Sequence, residues 1–438
     1  MWRILLALVL ALFLEGRALA ASVAGDPFAD DAAFADIPQE TVRTSLQLGG
    51  YVESRNQIAL RDIEQPISIR QRLRLEGCWS QEALSFFGAL EAEAELAAMT
   101  WDGEGHEVWS ARGREAYLTY DTDRLDLFVG RKIHRWGTGD GINPMDLINP
   151  LDTRDPIATG RADNRLPVWM AGLLAQLDRF SLEGVFLPVA AVNSIPKPGN
   201  PWEPRGIKEL RGLEEQGQLR LAGQREPDVW FQDVEYGGRL SAMVAGWDLA
   251  LLAFHGYADN PVLVSRLSDG ALLVVPEHPE FTAFGATFAT GLGSRTLRGE
   301  LAFKPEYPLQ EDGELGPTRR DLWQGVLGWD YDLDGRYYLN LQGFADIAGP
   351  GGAESTQWWH GLTYEVSGRW LDYALKAGAR GKVYTSGDGA LTELFTEYDL
   401  DDHWKILTGV MLWTGPGNGV LGQYGGNDLV YCTLRYAF

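Results

Sequence analysis

Two rows of charged side chains are the first candidates for chemistry in this chain. The first row comprises Arg70, Arg72 and Arg74, and the second comprises Glu91, Glu93 and Glu95. In each row the charged residues alternate with uncharged and mostly apolar ones, so each row falls on one face of a β-strand. If the two segments are consecutive antiparallel strands, the rows lie side by side and form a cross-strand ladder of ion pairs.

Such a ladder has two possible roles. It can stiffen the wall that carries it, or it can present an electric field across a pore and guide a charged solute. In a membrane barrel these rows must face the lumen, because an arginine facing lipid at the midplane costs about 2–4 kcal/mol. Further inward charges have both signs, so the sequence alone assigns no ion preference.

A second candidate is the segment that follows Gly130, where Trp-Gly and two Asn-Pro pairs lie close together. Proline lacks an N–H group and favours turns, and Asn and Asp satisfy nearby backbone groups, so the segment can fold compactly without joining a sheet. We predict a loop folded into a lumen, and its constriction residues are Arg131, Arg135, Trp136 and Asp140. The alternative is a stabilised surface loop.

Catalytic and metal motifs are weak. The 6 histidines are dispersed, and no serine-hydrolase or zinc-protease motif occurs. The segment from Asp330 to Gly335 resembles the start of a calcium loop, but Leu341 stands where a bidentate glutamate is needed. We therefore predict no metal, no cofactor and no enzymatic activity. Cys78 and Cys432 fall on opposite parities, which predicts two free thiols.

Period-two segments of about ten residues recur through the chain and predict an all-β protein. The predicted strands are 43–54, 66–78, 84–101, 108–120, 124–131, 166–177, 179–187, 234–245, 246–257, 279–291, 294–306, 321–332, 336–347, 356–369, 371–383, 389–398, 404–413 and 428–438. Short and long connections alternate between them. This pattern is typical of a transmembrane antiparallel β-barrel with short periplasmic turns and long extracellular loops, here of about 18 strands (roughly 16–18).

The long loop 188–233 is the other constriction candidate, and the spacing of Ile207, Leu210 and Leu213 predicts a short helix within it. The N-terminal residues 1–20 resemble a signal peptide, with Arg3, an apolar run and a small-residue cleavage site. We expect 21–42 to be an acidic periplasmic segment and 43–438 to be the barrel.

The last predicted strand ends at Phe438, and it resembles the closing strand of Gram-negative outer-membrane barrels, which end in an aromatic residue. The Gly-Arg, Trp-Gly and Asn-Pro pattern of 130–152 is similar to that of a poorly characterised family of proteobacterial outer-membrane, porin-like barrels. In architecture the chain also looks like the alginate-export barrels. These resemblances imply a barrel in the outer membrane of a Gram-negative bacterium.

The formal net charge of −23 disfavours a nucleic-acid partner. We expect a porin-like channel for passive or substrate-selective passage of small solutes, gated by inward loops and lumen charges, with outer-membrane lipid around it. The alternative is a partner-dependent barrel: a polymer export port, or a sleeve around a periplasmic partner such as a cytochrome. Any haem would come from that partner, because the chain has no Cys-x-x-Cys-His. The oligomeric state is open.

Overall fold

The computed structural model describes residues 45–438 except 63, 65, 103–104, 140, 156–163, 269, 311–315 and 351–355. The predicted signal peptide (1–20), the acidic segment (21–42) and Asp140 lie outside the described residues.

The barrel strands are β1 (Ser45–Ala59), β2 (Pro66–Gln81), β3 (Leu84–Glu95), β4 (Trp109–Asp121), β5 (Leu125–Lys132), β6 (Val168–Leu177), β7 (Phe180–Leu187), β9 (Glu235–Val244), β10 (Trp247–Tyr257), β13 (Glu280–Leu292), β14 (Arg295–Gln310), β15 (Pro317–Leu333), β16 (Tyr337–Ala348), β17 (Gln357–Trp370), β18 (Leu375–Tyr384), β19 (Gly389–Asp399), β20 (Trp404–Thr414) and β21 (Leu429–Ala437). The connections carry β8 (Arg220–Leu221), β11 (Val262–Ser268), β12 (Ala271–Glu277) and the helix α1 (Arg205–Glu215).

The 18 barrel strands form one closed sheet. Each barrel strand pairs antiparallel with the barrel strands before and after it, and β1 pairs with both β2 and β21, so the sheet has no free edge. At the closure Glu53 of β1 lies opposite Arg435 of β21. The predicted fold class, an antiparallel β-barrel of about 18 strands, is confirmed.

The alternating sequence gives the barrel an apolar outer face. Outward leucines are largely exposed, as at Leu48 (68%), Leu90 (62%) and Leu251 (61%). Their neighbours on the inner face are polar or charged, and many of them are buried, such as Glu53 and Gln342. A soluble protein rarely exposes so continuous an apolar surface to water. In a membrane barrel such a surface faces lipid and does not have to be hydrated.

The two rims of the barrel differ. One rim, which we call the short-turn rim, holds tight connections such as Ala245-Gly246, where both residues have positive φ (53° and 82°). Two successive residues of this kind form a two-residue hairpin turn whose twist matches that of the strands. The opposite rim, the long-loop rim, carries the segments 133–167, 188–234 and 258–279 between consecutive barrel strands.

A small subdomain on the long-loop rim is absent from the predicted elements. β11 and β12 form a hairpin, and β8 adds to β12 in parallel. The predicted helix is present as α1, and Leu210 of α1 packs with Leu219 and Val274 in a separate apolar cluster. The loops of this rim therefore have a core of their own and are not loose connections.

Several predicted strand boundaries were wrong: β1 runs to Ala59 rather than 54, β14 to Gln310 rather than 306, and β18 begins at Leu375 rather than 371. Two further differences have a visible cause. The predicted strand 84–101 ends at Glu95, where a 3₁₀ turn over Leu96–Met99 begins, because the Glu95 carboxylate accepts the N–H of Ala97 at 3.2 Å. β15 begins at Pro317, ahead of the predicted residue 321, because it continues to pair with the extended end of β14 past an irregularity after Lys304.

Candidate functional site

The wall of the lumen carries the charged rows side by side. The register of β2 and β3 places Arg70 opposite Glu95, Arg72 opposite Glu93 and Arg74 opposite Glu91. Two of these three pairs are in contact: Arg70 Nε lies 3.3 Å from Glu95, and Arg72 Nη2 lies 3.0 Å from Glu93. The antiparallel register alone produces this arrangement, since both rows follow the inward parity of their strands.

The third position behaves differently. Arg74 binds Glu76 of its own strand at 2.5 Å, and Glu91 is instead paired with Arg112 of β4 at 2.7 Å and with Arg114 at 3.8 Å. Arg114 is turned inward by a bulge in the β3/β4 pairing, where the register shifts between Ala89 and Leu90. The ladder is thus a network that continues over three strands.

The segment 133–167, which we call the inner loop, leaves β5 and returns in β6. Asn149 closes its base: its amide donates to the carbonyls of Lys132 (3.2 Å) and Leu166 (2.9 Å), and its carbonyl oxygen accepts the N–H of His134 at 2.6 Å. One side chain thereby satisfies backbone groups on both arms of the loop. This is a physical reason for an asparagine before Pro150.

The tip of the inner loop is held by a carboxylate on the barrel wall. Glu300, on the inward face of β14, accepts the N–H groups of Thr138, Gly139 (2.6 Å) and Met145 (3.2 Å). Its side chain is buried. Hydrogen bonds from several N–H groups to one carboxylate are stronger than neutral ones, so Glu300 is the main polar anchor of the tip.

The inner loop crosses the full width of the barrel. Its Ile142 carbonyl accepts a hydrogen bond from Gln342 of β16 at 3.0 Å, and Gly141 lies against Thr363 of β17. Counted round the ring in chain order from β5, β17 is the ninth barrel strand along, which is half of the 18. The tip therefore reaches the strand opposite its origin.

Apolar packing holds one side of the inner loop to the wall. Trp136, Met145 and Ile148 are fully buried against inward residues of β6, β7, β10 and β13. The ring of Trp136 meets that of Phe254 edge-on, with centroids 6.4 Å apart. It also lies over Gly237, where an added Cβ would stand 2.7 Å from the indole. This half of the lumen is filled at the level of the loop.

Ion pairs hold the other side. Asp155 lies 3.5 Å from Arg55 of β1 and 3.4 Å from Arg70 of β2, so the inner loop adds a carboxylate to the arginine network. Within the loop, Arg165 Nε donates to Asp146 at 2.9 Å. Burial raises the pKa of Asp146, and the charge of Arg165 only partly offsets this.

The predicted constriction residues fall in different places. Trp136 is buried as an anchor. Arg131 lies at the end of β5 on the outward parity, where its guanidinium donates to the carbonyls of Gly113 (2.9 Å) and Pro167 (3.3 Å). Arg135 is half-buried in the inner loop, and its Nε has no hydrogen-bond partner in the part of the chain that the structure describes.

Residues that the sequence did not single out hold the loop in place. Glu300 and Asp155 are its polar attachments, and Gly237 provides the space for Trp136. The inward parity of Glu300 is readable from the sequence, but its partners are backbone N–H groups of a distant loop, which leave no sequence signal. Proximity to the Asn-Pro segment is the one hint for Asp155.

The segment 188–234, which we call the outer loop, crosses the long-loop rim. Trp202 is buried between Trp413 of β20 and Tyr424, with ring centroids 5.3 Å and 5.6 Å away. The amide of Asn427 donates to the carbonyl of Pro201 at 2.7 Å, and Gln423 accepts the N–H of Arg205 at 3.0 Å. The outer loop thus ties β7 and β9 to the far side of the mouth.

In the ranges that the structure describes, no group of His, Cys, Asp or Glu side chains is arranged to hold a metal ion. Cys78 and Cys432 are unpaired, and only Cys432 is exposed. Among the described residues, no helix combines the length and the apolar character that a membrane span requires.

Several solved structures resemble the chain at low sequence identity. A mutant of the Rh. blastica porin is 13% identical, with a TM-score of 0.42 over 90% of this chain and 100% of that one. A loop-deletion mutant of OmpT, an outer membrane protein of Vibrio cholerae, is 11% identical (TM-score 0.42; 90% and 99%). OmpF of Salmonella typhi in complex with daunomycin is 9% identical (TM-score 0.43; 90% and 98%).

The comparison with curated proteins gives no match. One protein-family model does match, over residues 82–372, a range that runs from the turn before β3 to the turn after β17 and includes the inner loop and Glu300. That range is well over half of the chain, which therefore belongs to the family described as "Protein of unknown function (DUF1302)".

Proposed function

We propose that the protein is an outer-membrane channel for the passive or substrate-selective passage of small solutes. The observation that carries this proposal is a closed barrel of 18 strands whose lumen is crossed from β5 to β17 by one anchored loop. Barrels of this size enclose an aqueous space, and a loop fixed across it narrows that space to a constriction.

The location follows from the surface. The outward side chains form an apolar belt, and the inward ones are charged or polar, which is the arrangement that lipid outside and water inside require. A closed β-sheet satisfies its own backbone hydrogen bonds and can therefore cross a bilayer. We place the barrel in the outer membrane of a Gram-negative bacterium, with the short-turn rim on the periplasmic side.

The mechanism is selection at the constriction. A solute that passes the inner loop loses part of its water shell, and charged side chains of the wall replace some of those contacts. Arg135 of the inner loop is the described candidate for such contacts, and Asp140, which the sequence predicts with it, lies outside the described residues. Trp136 acts indirectly, because its buried ring fixes where the loop lies. No bond is made or broken in this process, and no cofactor takes part.

The test is solute flux into proteoliposomes. The purified, refolded protein is reconstituted into vesicles, and swelling is recorded in isotonic sugars of increasing size. The proposal predicts rapid swelling with small sugars and a sharp loss of rate with larger ones. No swelling, in vesicles shown by circular dichroism to hold folded barrel, would contradict it and favour a barrel that works only with a periplasmic partner.

A matched variant makes the assay specific. Replacing Glu300 by alanine removes the anchor of the tip, whereas Asp330→Ala removes an inward carboxylate of β15 near the short-turn rim, where it binds Arg298 and Asn340 of the wall. If the inner loop is the constriction, Glu300→Ala raises the size limit for sugars and Asp330→Ala leaves it unchanged.

A further inference from the structure

One strand of the inner wall is less covered than its neighbours. The tip of the inner loop lies against β16 and β17, where Gln342 and Thr363 are buried. On β18, by contrast, every residue is half-exposed, on the inward face as well as the outward one. The outer loop and its tryptophan cluster cover β20 and β21. Among the described residues, β18 is thus the strand with the most open inner face, and we place the passage along it.

The inward face of β18 is basic. Pairing with β17 and β19 places Arg380 opposite Glu365 and Glu393, and Lys376 and Lys382 share its parity. We call these three residues the basic row. Side chains two positions apart on one strand are separated by roughly 7 Å, so Arg380 and Lys382 face a passing solute together.

Two of the cations in the basic row form ion pairs with carboxylates of the neighbouring strands. Arg380 binds Glu393 at 2.6 Å, and Glu393 also accepts the hydroxyl of Tyr431 at 2.6 Å. The side chain of Arg380 is 29% exposed and that of Glu393 only 8%. Lys376 binds Glu365 at 3.1 Å. Arg380 thus reaches toward the lumen while Glu393 stays at the wall, whereas Lys376 and Glu365 are nearly equally exposed (21% and 17%).

Lys382 has a different environment. Its ammonium lies 4.8 Å from the ring centre of Tyr384 and 5.6 Å from that of Phe344. Within the part of the chain that the structure describes, no carboxylate forms an ion pair with it. Aromatic faces stabilise a cation without neutralising its charge. Lys382 therefore presents its ammonium beside Thr363, which the loop tip contacts, and Asp346 of β16 is the carboxylate that interacts with it at longer range.

The same asymmetry occurs elsewhere round the lumen. Arg112 of β4 is 28% exposed while its partner Glu91 is 0% exposed, and Arg239 of β9 is 26% exposed against 9% for Glu183. In these two pairs the solute meets the cation first. At Arg72–Glu93 (5% and 11%) and Lys405–Asp399 (11% and 42%) the carboxylate is the more exposed partner, so the asymmetry is local to parts of the wall.

We infer that the passage selects small anions, such as chloride and short organic carboxylates, and that Arg380 and Lys382 of the basic row provide much of this selection. This inference rests on the proposed function, because it names the class of solute that the channel takes. The mixed signs of the charges in the sequence left this preference open. The greater exposure of Arg380 than of Glu393, on the open inner face of β18, is the observation that favours anions.

The test is the reversal potential of the refolded protein in a planar bilayer under a gradient of KCl. The wild-type channel should pass chloride in preference to potassium. Arg380→Gln together with Lys382→Gln should lower the chloride-to-potassium permeability ratio about three- to fivefold, because both charges act on an ion in a partly screened space. Lys208→Gln, which removes an exposed charge of α1 on the outer loop, is the matched control and should change nothing.

The outcomes separate the two proposals. Silence in folded protein overturns the channel and this inference with it. Conductance with a preference for potassium leaves the channel standing and overturns the anion preference. Chloride preference that survives intact in the folded double variant shows that the basic row does not provide it. Circular dichroism and thermal unfolding of the double variant check that a shift does not come from misfolding around β18.

Discussion

The attachment of the inner loop to Glu300 gives the sharpest quantitative prediction. Glu300 accepts three backbone N–H groups of the tip, two through Oε1 and one through Oε2. In Glu300→Gln the amide oxygen can still accept the N–H groups of Thr138 and Gly139, but it carries no negative charge. The amide nitrogen then stands against the N–H of Met145 and cannot accept it. Glu300→Ala removes all three bonds.

The magnitudes follow from the bonds. A hydrogen bond to a charged group contributes about 1.5–3 kcal/mol and a neutral one about 0.5–1.5 kcal/mol. Allowing water to reach the freed N–H groups, we expect Glu300→Gln to weaken tip attachment by about 2 kcal/mol and Glu300→Ala by about 4 kcal/mol. The population of detached loop then rises by roughly 30-fold and 1,000-fold.

The assay is hydrogen–deuterium exchange of the peptide 133–148 in the reconstituted barrel, because exchange of these amides requires the tip to detach. Rates should increase in the order wild type, Gln, Ala, while the barrel strands keep their protection. Glu365→Gln is the control, since it alters a lumen carboxylate outside the loop. Equal exchange in all of these folded proteins would refute the role of Glu300 as an anchor.

Three further predictions concern the other attachments. Gly237→Ala places a Cβ 2.7 Å from the ring of Trp136 and should destabilise the loop by about 1–3 kcal/mol, seen as faster exchange of the same peptide. Trp202→Ala removes the aromatic contact with Trp413 and should loosen the outer loop by about 3–5 kcal/mol, seen as faster proteolysis in the outer loop. Burial raises the pKa of Asp259, which lies in the connection after β10, to about 7. At pH values between the pKa of the unfolded chain and about 7, the native state therefore binds one more proton than the unfolded state. The free energy of unfolding should therefore fall as the pH rises from about 4 to 7, by at most about 1.4 kcal/mol per pH unit, and urea titrations of Asp259→Asn should lack this component.

Each of these predictions has a control and a contrary outcome. Gly238→Ala, at the next position of β9 where an added Cβ has its nearest neighbour at 3.6 Å, should be tolerated, and equal effects at both glycines would contradict the packing argument. Trp230→Ala removes an exposed tryptophan of the outer loop, so proteolysis as fast as in Trp202→Ala would exclude a specific anchor. An unchanged pH profile in Asp259→Asn would show that other groups titrate in this range.

The strands were predictable because their signal is local. Each strand alternates apolar and polar residues, and turns such as Ala245-Gly246 separate them without ambiguity. The pairing of Arg70 with Glu95 and of Arg72 with Glu93 also follows from two adjacent segments and one tight turn. Closure of the sheet needs no further information once the number of strands and their alternation are known.

The course of the loops was not predictable in the same way. The contact of Ile142 with Gln342 joins residues far apart in sequence, and nothing in either segment names the other. Trp136 was expected at the constriction because it belongs to the segment of Trp-Gly and Asn-Pro pairs, but Gly237 leaves space for its ring at the wall. The small subdomain of β8, β11 and β12 was missed because its strands are short and belong to two separate connections.

Single-channel recording of the purified, refolded protein in a planar bilayer tests the central claim most directly. An aqueous lumen narrowed by a fixed inner loop predicts stable conductance steps of one size, and Glu300→Ala should make them larger and noisier. Protein that is folded by circular dichroism, inserts into the bilayer and yet shows no steps would contradict the account of an open channel.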